Sequence, residues 1–422
     1  MSSVSSQCLL IVDPALTSFS GHNFNYSIAL ARVAAARKLS CSILASKFTP
    51  VPVQNGSTPA QPEFLLGWQA PAGRPFRRML FRAVSFLPAP MANSVTAGVR
   101  AGLRHLRTVL KRPTGNGFGS ELEAAIARYG SKIADQNIVL LHTIGAGRLA
   151  SVAADLTPSA LGQLLVVLRH SPAEMDKNEP AAEPIATVLT HLVAAFGSHL
   201  RLFADTEGLA DLYRPLVAHP VGVVPLPIVA SPPKAGPIGA PAHIVFAGMA
   251  RSERGYTILP HLISALRGRA RFTVQHGPIG PNDDPIIQKT NRELRRCAGV
   301  DLTLIEESLE PDAFNSLLTS ADIILLPYDG PAYGQRSSGL LGEALALGIP
   351  LVVPANTWMA DAGSDRVVAF ENAAGILPAI ETMLRNLPEL TATARAGAPA
   401  WRRRHSPERL LDTLMAPLSN GV

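Results

Sequence analysis

Short apolar runs alternate with helical patterns along most of the chain, and this alternation limits the fold more than any other feature. In the first half, the runs with the length and composition of buried strands are CLLIVD, CSILAS, NIVLLHT, QLLVVLRHS, HLRLFAD and VGVVPLPI. The intervening stretch NFNYSIALARVAAARKL has the apolar spacing of a helix. Strands that alternate with helices indicate parallel βαβ units, with helices on both faces of the sheet.

A stretch rich in proline and glycine, residues 227–242, interrupts this alternation, which then restarts with HIVFAG and continues to IPLVVP. The 422 residues fit two domains, because a single hydrophobic core stops growing near about 250 to 300 residues. We therefore predict an α/β protein of two Rossmann-like doubly wound domains facing across a cleft, with boundaries at 1–230 and 241–404. The segment WRRRHSPERLLDTLM predicts a closing helix, and we expect residues 405–422 to pack back on the first domain.

The N-terminus favours a cytoplasmic protein. It has no basic segment, and its apolar run ends at Asp13, so a secretory signal is not indicated. No apolar run reaches the roughly 18 residues of a membrane-spanning helix. The three cysteines, Cys8, Cys41 and Cys297, are widely spaced, form no metal-binding pattern and suit a reducing compartment.

Residues 74–112 form a basic island, because no acid occurs between Glu63 and Glu121 while nine arginines and lysines do. The segment RPFRRMLFRAVSFL mixes these arginines with large apolar residues, which is typical of an interfacial helix on anionic lipid. A basic surface helix packed on its own domain explains the pattern equally well. Nucleic acid is a weaker candidate because no recognised module is present. We expect either a cytoplasmic location alone or peripheral contact with the inner face of the plasma membrane.

The stretch FAGMARSERGY, residues 246–256, lies between a predicted strand and a helix. Gly248 permits a close approach of the backbone, and Arg251 and Arg254 supply forked cationic donors suited to phosphate oxygens. An ordinary solvated loop with surface arginines is the alternative. Ligands of doubly wound sheets bind beyond the carboxyl ends of the strands, which is where this loop lies.

A second site is predicted in YGQRSSGLLGEALALGIPLVV, residues 333–353. A helix starting near Ser337 or Ser338 presents unbonded N–H groups and a favourable dipole to an anion such as a diphosphate. Glu343 lies nearly two turns inside that helix, where it could accept hydrogen bonds from the paired hydroxyls of a ribose. Simple exposure on an amphipathic helix is the alternative. It fits poorly with the small and apolar neighbours of Glu343, because Glu is seldom buried without a partner.

No metal site is predicted. The paired acids of NDDP, starting at Asn282, precede a helix and indicate capping rather than metal binding. The chain also lacks a P-loop, a nucleophile elbow and the kinase motifs, which disfavours hydrolase and kinase functions.

Together these motifs resemble the nucleotide-sugar glycosyltransferases of the GT-B fold, in the large retaining family four. The resemblance spans both domains, with its most specific part at residues 321–354. It implies that Glu343 is the second glutamate of the family motif, which holds the ribose, and that Arg254 contacts the donor diphosphate. The donor-binding residues it implies are Gly21, Gly248, Arg251, Arg254, Tyr333, Gln335, Ser337, Ser338, Gly339, Leu340 and Glu343.

Two positions depart from the family pattern. The first glutamate, which orders the hydroxyls of the donor sugar, is replaced by Gln335, whose amide keeps hydrogen-bonding capacity without charge. The arginine that usually follows the glycine after the strand is replaced by Met249, and Arg251 is the candidate substitute. Both departures bear on sugar identity and rate more than on nucleotide binding.

In the first domain, the loop SFSGHNFNY resembles the glycine-rich loop of the family, with Gly21 as its glycine. The residues expected to face the cleft on the acceptor side are His22, Asn23, Asn25, Tyr26 and His142. His170 resembles the histidine that contacts the donor sugar, so the expected catalytic residues are Gln335, Arg254 and His170. The alternatives are a helix-capping role for Asn23 and hydrogen-bonded structural roles for the two histidines.

The resemblance implies transfer of a hexose from a nucleotide diphosphate sugar, with retention of configuration and no essential metal or other cofactor. The expected acceptor is a saccharide or lipid-linked saccharide of bacterial surface polysaccharide synthesis. Two alternatives remain: a catalytically weak GT-B relative that serves as a binding or assembly component, and a GT-B sugar-nucleotide epimerase.

Overall fold

The computed structural model describes residues 7–16, 22–46, 60–64, 117–178, 181–229 and 236–416, with backbone only for 22–24, 60–64 and 178. Gly21 and the basic island at 74–112 lie outside the described residues.

The first sheet is parallel throughout and has the strand order 3-2-1-4-5-6-7. Its strands are β1 (Cys8–Asp13), β2 (Ser40–Ser46), β3 (Ala60–Phe64), β4 (Asn137–His142), β5 (Gln163–Leu168), β6 (Leu200–Ala204) and β7 (Val221–Val223). The order reverses between β1 and β4, and such a reversal opens a crevice at the carboxyl ends of the strands.

The second sheet is also parallel and has the order 10-9-8-11-12-13. Its strands are β8 (Ala242–Ala247), β9 (Ala270–Gln275), β10 (Leu302–Ile305), β11 (Ile323–Leu325), β12 (Leu351–Pro354) and β13 (Val367–Phe370). The reversal lies between β8 and β11. The predicted α/β class with two doubly wound domains is confirmed.

Helices cover both faces of each sheet. In the first half they are α1 (His22–Ala36), α2 (Phe118–Tyr129), α3 (Ala146–Asp155), α4 (Pro172–Asn178), α5 (Ile185–Phe196) and α6 (Glu207–Tyr213). In the second half they are α7 (Leu259–Ala265), α8 (Pro285–Cys297), α9 (Pro311–Ser320), α10 (Gly330–Tyr333), α11 (Gly339–Leu347), α12 (Trp358–Gly363), α13 (Ile376–Arg385), α14 (Leu387–Arg404) and α15 (Pro407–Met415). None of the described helices combines the length and apolarity that crossing a bilayer requires.

Strand β1 is apolar on both faces, because it is buried between two helical layers. In β1, Leu10 and Val12 join the core on one side of the sheet, while Leu9 and Ile11 join the core on the other. This division follows from the two-residue period of a strand. The continuous apolar runs of the sequence are therefore the signature of a parallel, doubly covered sheet.

The C-terminal helix α15 lies on the first domain. Leu410, Leu411 and Leu414 are buried in the core that contains Leu9 and Ile11 of β1. The preceding helix α14 instead packs on the second domain, against α11. The chain therefore crosses between the domains twice, once before β8 and once between α14 and α15.

Three local predictions differ from the structure or are sharpened by it. Strand β7 has only three residues because Pro225 and Pro227 interrupt the apolar run VGVVPLPI. The helix predicted after the stretch FAGMARSERGY opens with a 3-10 turn, Tyr256–Ile258, before the α-helix begins at Leu259. Asp284 caps α8 by accepting a hydrogen bond from the N–H of Ile286 at 2.9 Å, which confirms the capping interpretation of NDDP.

We expect Leu410→Ala to lower the free energy of unfolding by about 2 to 5 kcal/mol, because its fully buried side chain leaves a cavity in the core under β1. Urea unfolding followed by circular dichroism measures the change. The exposed Glu408→Gln on the same helix is the control and should change stability by less than about 0.5 kcal/mol. Equal stability of the two variants would contradict the placement of α15 in the first-domain core.

Candidate functional site

The guanidinium of Arg254 lies at the carboxyl end of β8, against the backbone of Gly248. A Cβ on Gly248 would stand 2.7 Å from Nη1 of Arg254, and the φ of this glycine is 119°, so only glycine fits here. Nε of Arg254 donates a hydrogen bond to the hydroxyl of Tyr333 at 3.1 Å. Arg254 thereby connects the loop after β8 with the end of α10, on the approach to α11.

The loop after β8 is held tightly against the loop after β11. Gly255 has a φ of 70°, and a Cβ there would overlap the carbonyl of Pro327, so the turn requires glycine. The N–H of Asp329 also donates to the carbonyl of Glu253 at 2.9 Å. The two loops predicted from sequence to contact a donor are therefore neighbours.

Arg251 and Met249 point away from this junction. Met249 is 56% exposed, and the exposed Arg251 lies 3.5 Å from the carboxylate of Glu253. The described side-chain contacts of Arg251 are thus with Met249 and Glu253 rather than with the side chains of Arg254 or Tyr333. Its expected role as a substitute for the missing arginine stays a prediction.

Helix α11 begins with two backbone N–H groups that have no hydrogen-bond partner among the described residues. Ser338 is its N-cap, and its hydroxyl accepts from the N–H of Leu341 at 3.3 Å. The N–H groups of Gly339 and Leu340 donate to no other residue in the described part of the chain. They lie at the positive end of the helix dipole and can bind an anion.

Glu343 is half-buried on the second turn of α11, and its carboxylate has neither a hydrogen bond nor an ion pair with any described residue. Burial raises the pKa of this carboxyl to about 7. A partly buried carboxylate without a protein partner is costly. Hydroxyl groups of a ligand would satisfy it, which favours the ribose prediction over simple exposure.

The neighbouring Gly342 fixes α11 against both chain crossings. A Cβ on Gly342 would stand 2.7 Å from Cδ1 of Ile228, and its carbonyl accepts a hydrogen bond from the indole of Trp401 at 3.0 Å. The N–H of Ile228 in turn donates to the carbonyl of His405 at 2.8 Å. The segment entering the second domain and the segment leaving it therefore meet beside the helix that carries Glu343.

On the first domain, His170 follows β5 at the carboxyl edge of the sheet. Burial, and next the nearby Arg336, lower the pKa of His170 to about 4, so the ring is neutral at pH 7. Its Nδ1 is buried with no hydrogen-bond partner among the described residues. The imidazole can therefore exchange hydrogen bonds with a sugar, but it does not supply positive charge.

Gln335 lies at the junction between the domains. Its amide packs against Gly208 at the start of α6, where any Cβ would overlap its Oε1. Its carbonyl accepts a hydrogen bond from the hydroxyl of Thr206 at 2.6 Å. The residue expected to order the donor sugar is thus held in part by the opposite domain.

Tyr26 and His142 do not open to the cleft as expected. Tyr26 is 2% exposed and His142 is fully buried, with their rings stacked at 4.4 Å. Nε2 of His142 lies 3.0 Å from Oγ of Ser27, whose hydroxyl also donates to the carboxylate of Asp13 at 3.3 Å. The burial of this polar network raises the pKa of Asp13 to about 7. The structure therefore favours the hydrogen-bonded structural role for His142.

The rest of the predicted acceptor side is only partly described. Gly21 lies outside the described residues, as do the side chains of His22 and Asn23. Helix α1 already includes Asn23, so this residue is inside the first turn rather than at the cap. No sequence motif marks Asp205, Thr206 and Glu174 of the first domain, which contact residues 335–337 across 129 to 162 residues of chain.

Comparison with known proteins finds similar structures but no matching sequence family. No family model matches the chain, and no curated protein sequence does. A UDP-forming α,α-trehalose-phosphate synthase from Burkholderia xenovorans, solved with glucose-6-phosphate, is similar in structure with a TM-score of 0.62 and 12% identity, covering 97% of this chain and 99% of its own. HepE from Anabaena, solved with UDP, is similar with a TM-score of 0.60 and 10% identity, and the match covers 97% of this chain and 100% of HepE. WaaG, a glycosyltransferase involved in lipopolysaccharide biosynthesis, is similar with a TM-score of 0.59 and 12% identity, and the match covers 97% of this chain and 100% of WaaG.

We expect Glu343→Gln to stabilise the ligand-free protein at pH 8 by about 2 kcal/mol and to change stability little at pH 4. The raised pKa means that the folded protein holds this proton more tightly than the unfolded chain does, so the wild type loses stability as pH rises from about 4.5 to about 7. The amide cannot ionise and escapes this loss. Urea unfolding at several pH values measures the difference, and a difference independent of pH would contradict the assignment.

Proposed function

We propose that this chain, whose two facing doubly wound domains are a GT-B fold, is a glycosyltransferase that moves a hexose from a nucleotide diphosphate sugar to a saccharide or lipid-linked acceptor. The observation that carries the proposal is Glu343, a half-buried carboxylate with no partner among the described residues. The paired 2′ and 3′ hydroxyls of a ribose are suitable donors for it. Glu343 lies nearly two turns beyond the helix start. A nucleotide diphosphate could therefore place its phosphates at the helix start and its ribose at Glu343.

The diphosphate would bind at the start of α11. The free N–H groups of Gly339 and Leu340 and the guanidinium of Arg254 are the donors suited to it. Negative charge develops on the leaving diphosphate as the bond between its oxygen and the anomeric carbon breaks. Fixed donors at this position stabilise the transition state more than the ground state.

The sugar would lie between Gln335 and His170. Both side chains are neutral and can exchange hydrogen bonds with sugar hydroxyls. The acceptor oxygen forms the new bond to the anomeric carbon, and its proton passes to the departing diphosphate or to solvent. We propose retention of configuration, which rests on the resemblance of the sequence motifs. Closure of the domains would exclude water from the donor.

We further propose a lipid-linked acceptor at the inner face of the plasma membrane, in the synthesis of a bacterial surface polysaccharide. Its support is the basic island at 74–112, with arginines among large apolar residues and no acid. Flotation with vesicles of anionic and of zwitterionic lipid tests this part. Binding to anionic vesicles only, lost at high salt, is expected, and no binding to either would contradict it.

We expect Glu343→Ala to weaken the binding of UDP or GDP at least about tenfold, because the ribose loses hydrogen bonds to a charged acceptor. Isothermal titration calorimetry with each nucleotide measures the dissociation constants. Glu389→Ala, which removes an exposed glutamate of the same domain, is the control and should bind as the wild type does. Equal affinities of wild type and Glu343→Ala would contradict the ribose site.

We also expect turnover of one nucleotide sugar to depend on an added acceptor, and Arg254→Ala to reduce its rate about a hundredfold through loss of a donor to the leaving group. A screen of UDP and GDP sugars with a membrane extract, analysed by mass spectrometry, identifies the product. Binding without turnover would favour an assembly component. A new nucleotide sugar formed without acceptor would favour an epimerase.

A further inference from the structure

A set of side chains from the first domain holds residues 334–338, here called the donor loop, of the second domain. The carboxylate of Asp205 accepts a hydrogen bond from the hydroxyl of Ser337 at 2.6 Å. The carboxylate of Glu174 forms an ion pair with Arg336 at 2.8 Å. With the bond from Thr206 to the carbonyl of Gln335, three consecutive residues of the donor loop are bound by the opposite domain.

Asp205 is the more deeply buried of the two acids in this set. Its side chain is 3% exposed, and the same oxygen, Oδ2, also accepts from Nε of Arg169 at 3.3 Å. The other oxygen, Oδ1, is buried without a hydrogen-bond partner among the described residues. Burial raises the pKa of Asp205 while the positive charge of Arg169 opposes that rise. An acid this buried is costly unless its partners hold it.

The first-domain side of this contact is rigid because it is built on paired strands. Leu168 of β5 and Ala204 of β6 are register partners, so Arg169 and Asp205 leave the sheet side by side. Thr206 then caps α6, its hydroxyl accepting from the N–H of Leu209 at 3.1 Å while donating to the donor loop. One short turn therefore anchors both the helix and the opposite domain.

The donor loop is also fixed within its own domain, both at its ends and through the N–H of Arg336, which donates to the carbonyl of Tyr333 at 2.8 Å. The carbonyl of Gly334 accepts from the N–H of Trp358 at 2.9 Å, and Ser338 caps α11. Between these points, the described hydrogen bonds of the side chains of Arg336 and Ser337 go to the first domain. The conformation of Gln335 is consequently set by both domains together.

We propose that Asp205 is a positioning residue whose carboxylate, acting through Ser337, sets the donor loop in its reactive arrangement only when the two domains are together. This inference rests on the proposed function, because it concerns the loop that carries Gln335 and leads into the phosphate-binding end of α11. Nucleotide binding needs only the second domain, whereas transfer needs the donor loop in contact with both domains. Asp205 thus links domain closure to the geometry of transfer.

The test uses Asp205→Asn and Ser337→Ala, singly and combined, in the full-length protein. We expect each single variant to lower kcat about tenfold or more, since a small displacement of a positioning group is costly, while Asp205→Asn changes the dissociation constant for UDP less than about twofold. The double variant should be no slower than the slower single variant, because both changes remove one interaction. Parallel falls in UDP affinity, or additive losses of kcat, would overturn the proposal.

Small-angle X-ray scattering supplies a readout that does not depend on turnover. We expect Asp205→Asn and Ser337→Ala each to increase the radius of gyration, because the domains separate more often. The control is Glu207→Gln on α6, whose partner Arg214 belongs to the same domain, and it should match the wild type. Should Asp205→Asn fail to fold, Ser337→Ala decides alone, and an unchanged radius would overturn the proposal.

The two readouts distinguish this inference from the proposed function. If Glu343→Ala loses nucleotide binding while the Asp205 and Ser337 variants keep wild-type kcat and radius, only the positioning role fails. If no nucleotide sugar binds or reacts, the proposed function fails, and the scattering data still decide whether these residues hold the domains together.

Discussion

The contact of α11 with the two chain crossings is the constraint on which the rest of the site depends. Gly342 has no side chain, so Ile228 approaches from one crossing while Trp401 donates its indole N–H from beside the other. The close packing sets the depth of α11 against its sheet. It leaves Glu343 half-buried on the adjacent position, where no described residue pairs with its carboxylate. The feature that indicates a ligand is thus a product of how tightly its helix is packed.

The charged groups that face the contact between the domains differ from one domain to the other. The second domain presents fixed positive groups, namely the helix start and Arg254, together with one carboxyl that loses a proton only near neutral pH. The first domain presents a neutral His170 and an acid, Asp205, that is already paired with Arg169. If a nucleotide sugar binds here, its phosphates would lie against the second domain and its sugar would lie toward the first.

Much of the fold could be predicted from sequence because it depends on local pattern. The apolar runs located the central strands within three residues, and the spacing between the loop and Glu343 located the candidate nucleotide site. Strand β13, Val367–Phe370, has a half-buried pattern without a long apolar run, and it was not predicted. The burial of Tyr26 and His142 depends on which residues pack over them, and position at a strand end does not reveal it. The partners of the donor loop were also beyond prediction, since each contact spans more than a hundred residues of chain.

The return of α15 to the first domain has a mechanical consequence. A single linker would allow the domains to twist and separate in any direction. Two neighbouring chain crossings restrict the motion mainly to rotation about an axis that passes through the two crossings. That axis passes beside α11, because Ile228 and Trp401 both contact Gly342. Points close to an axis of rotation move least. The start of α11 and Glu343 would stay almost stationary during opening, and the larger displacement would occur at the far rim of the cleft.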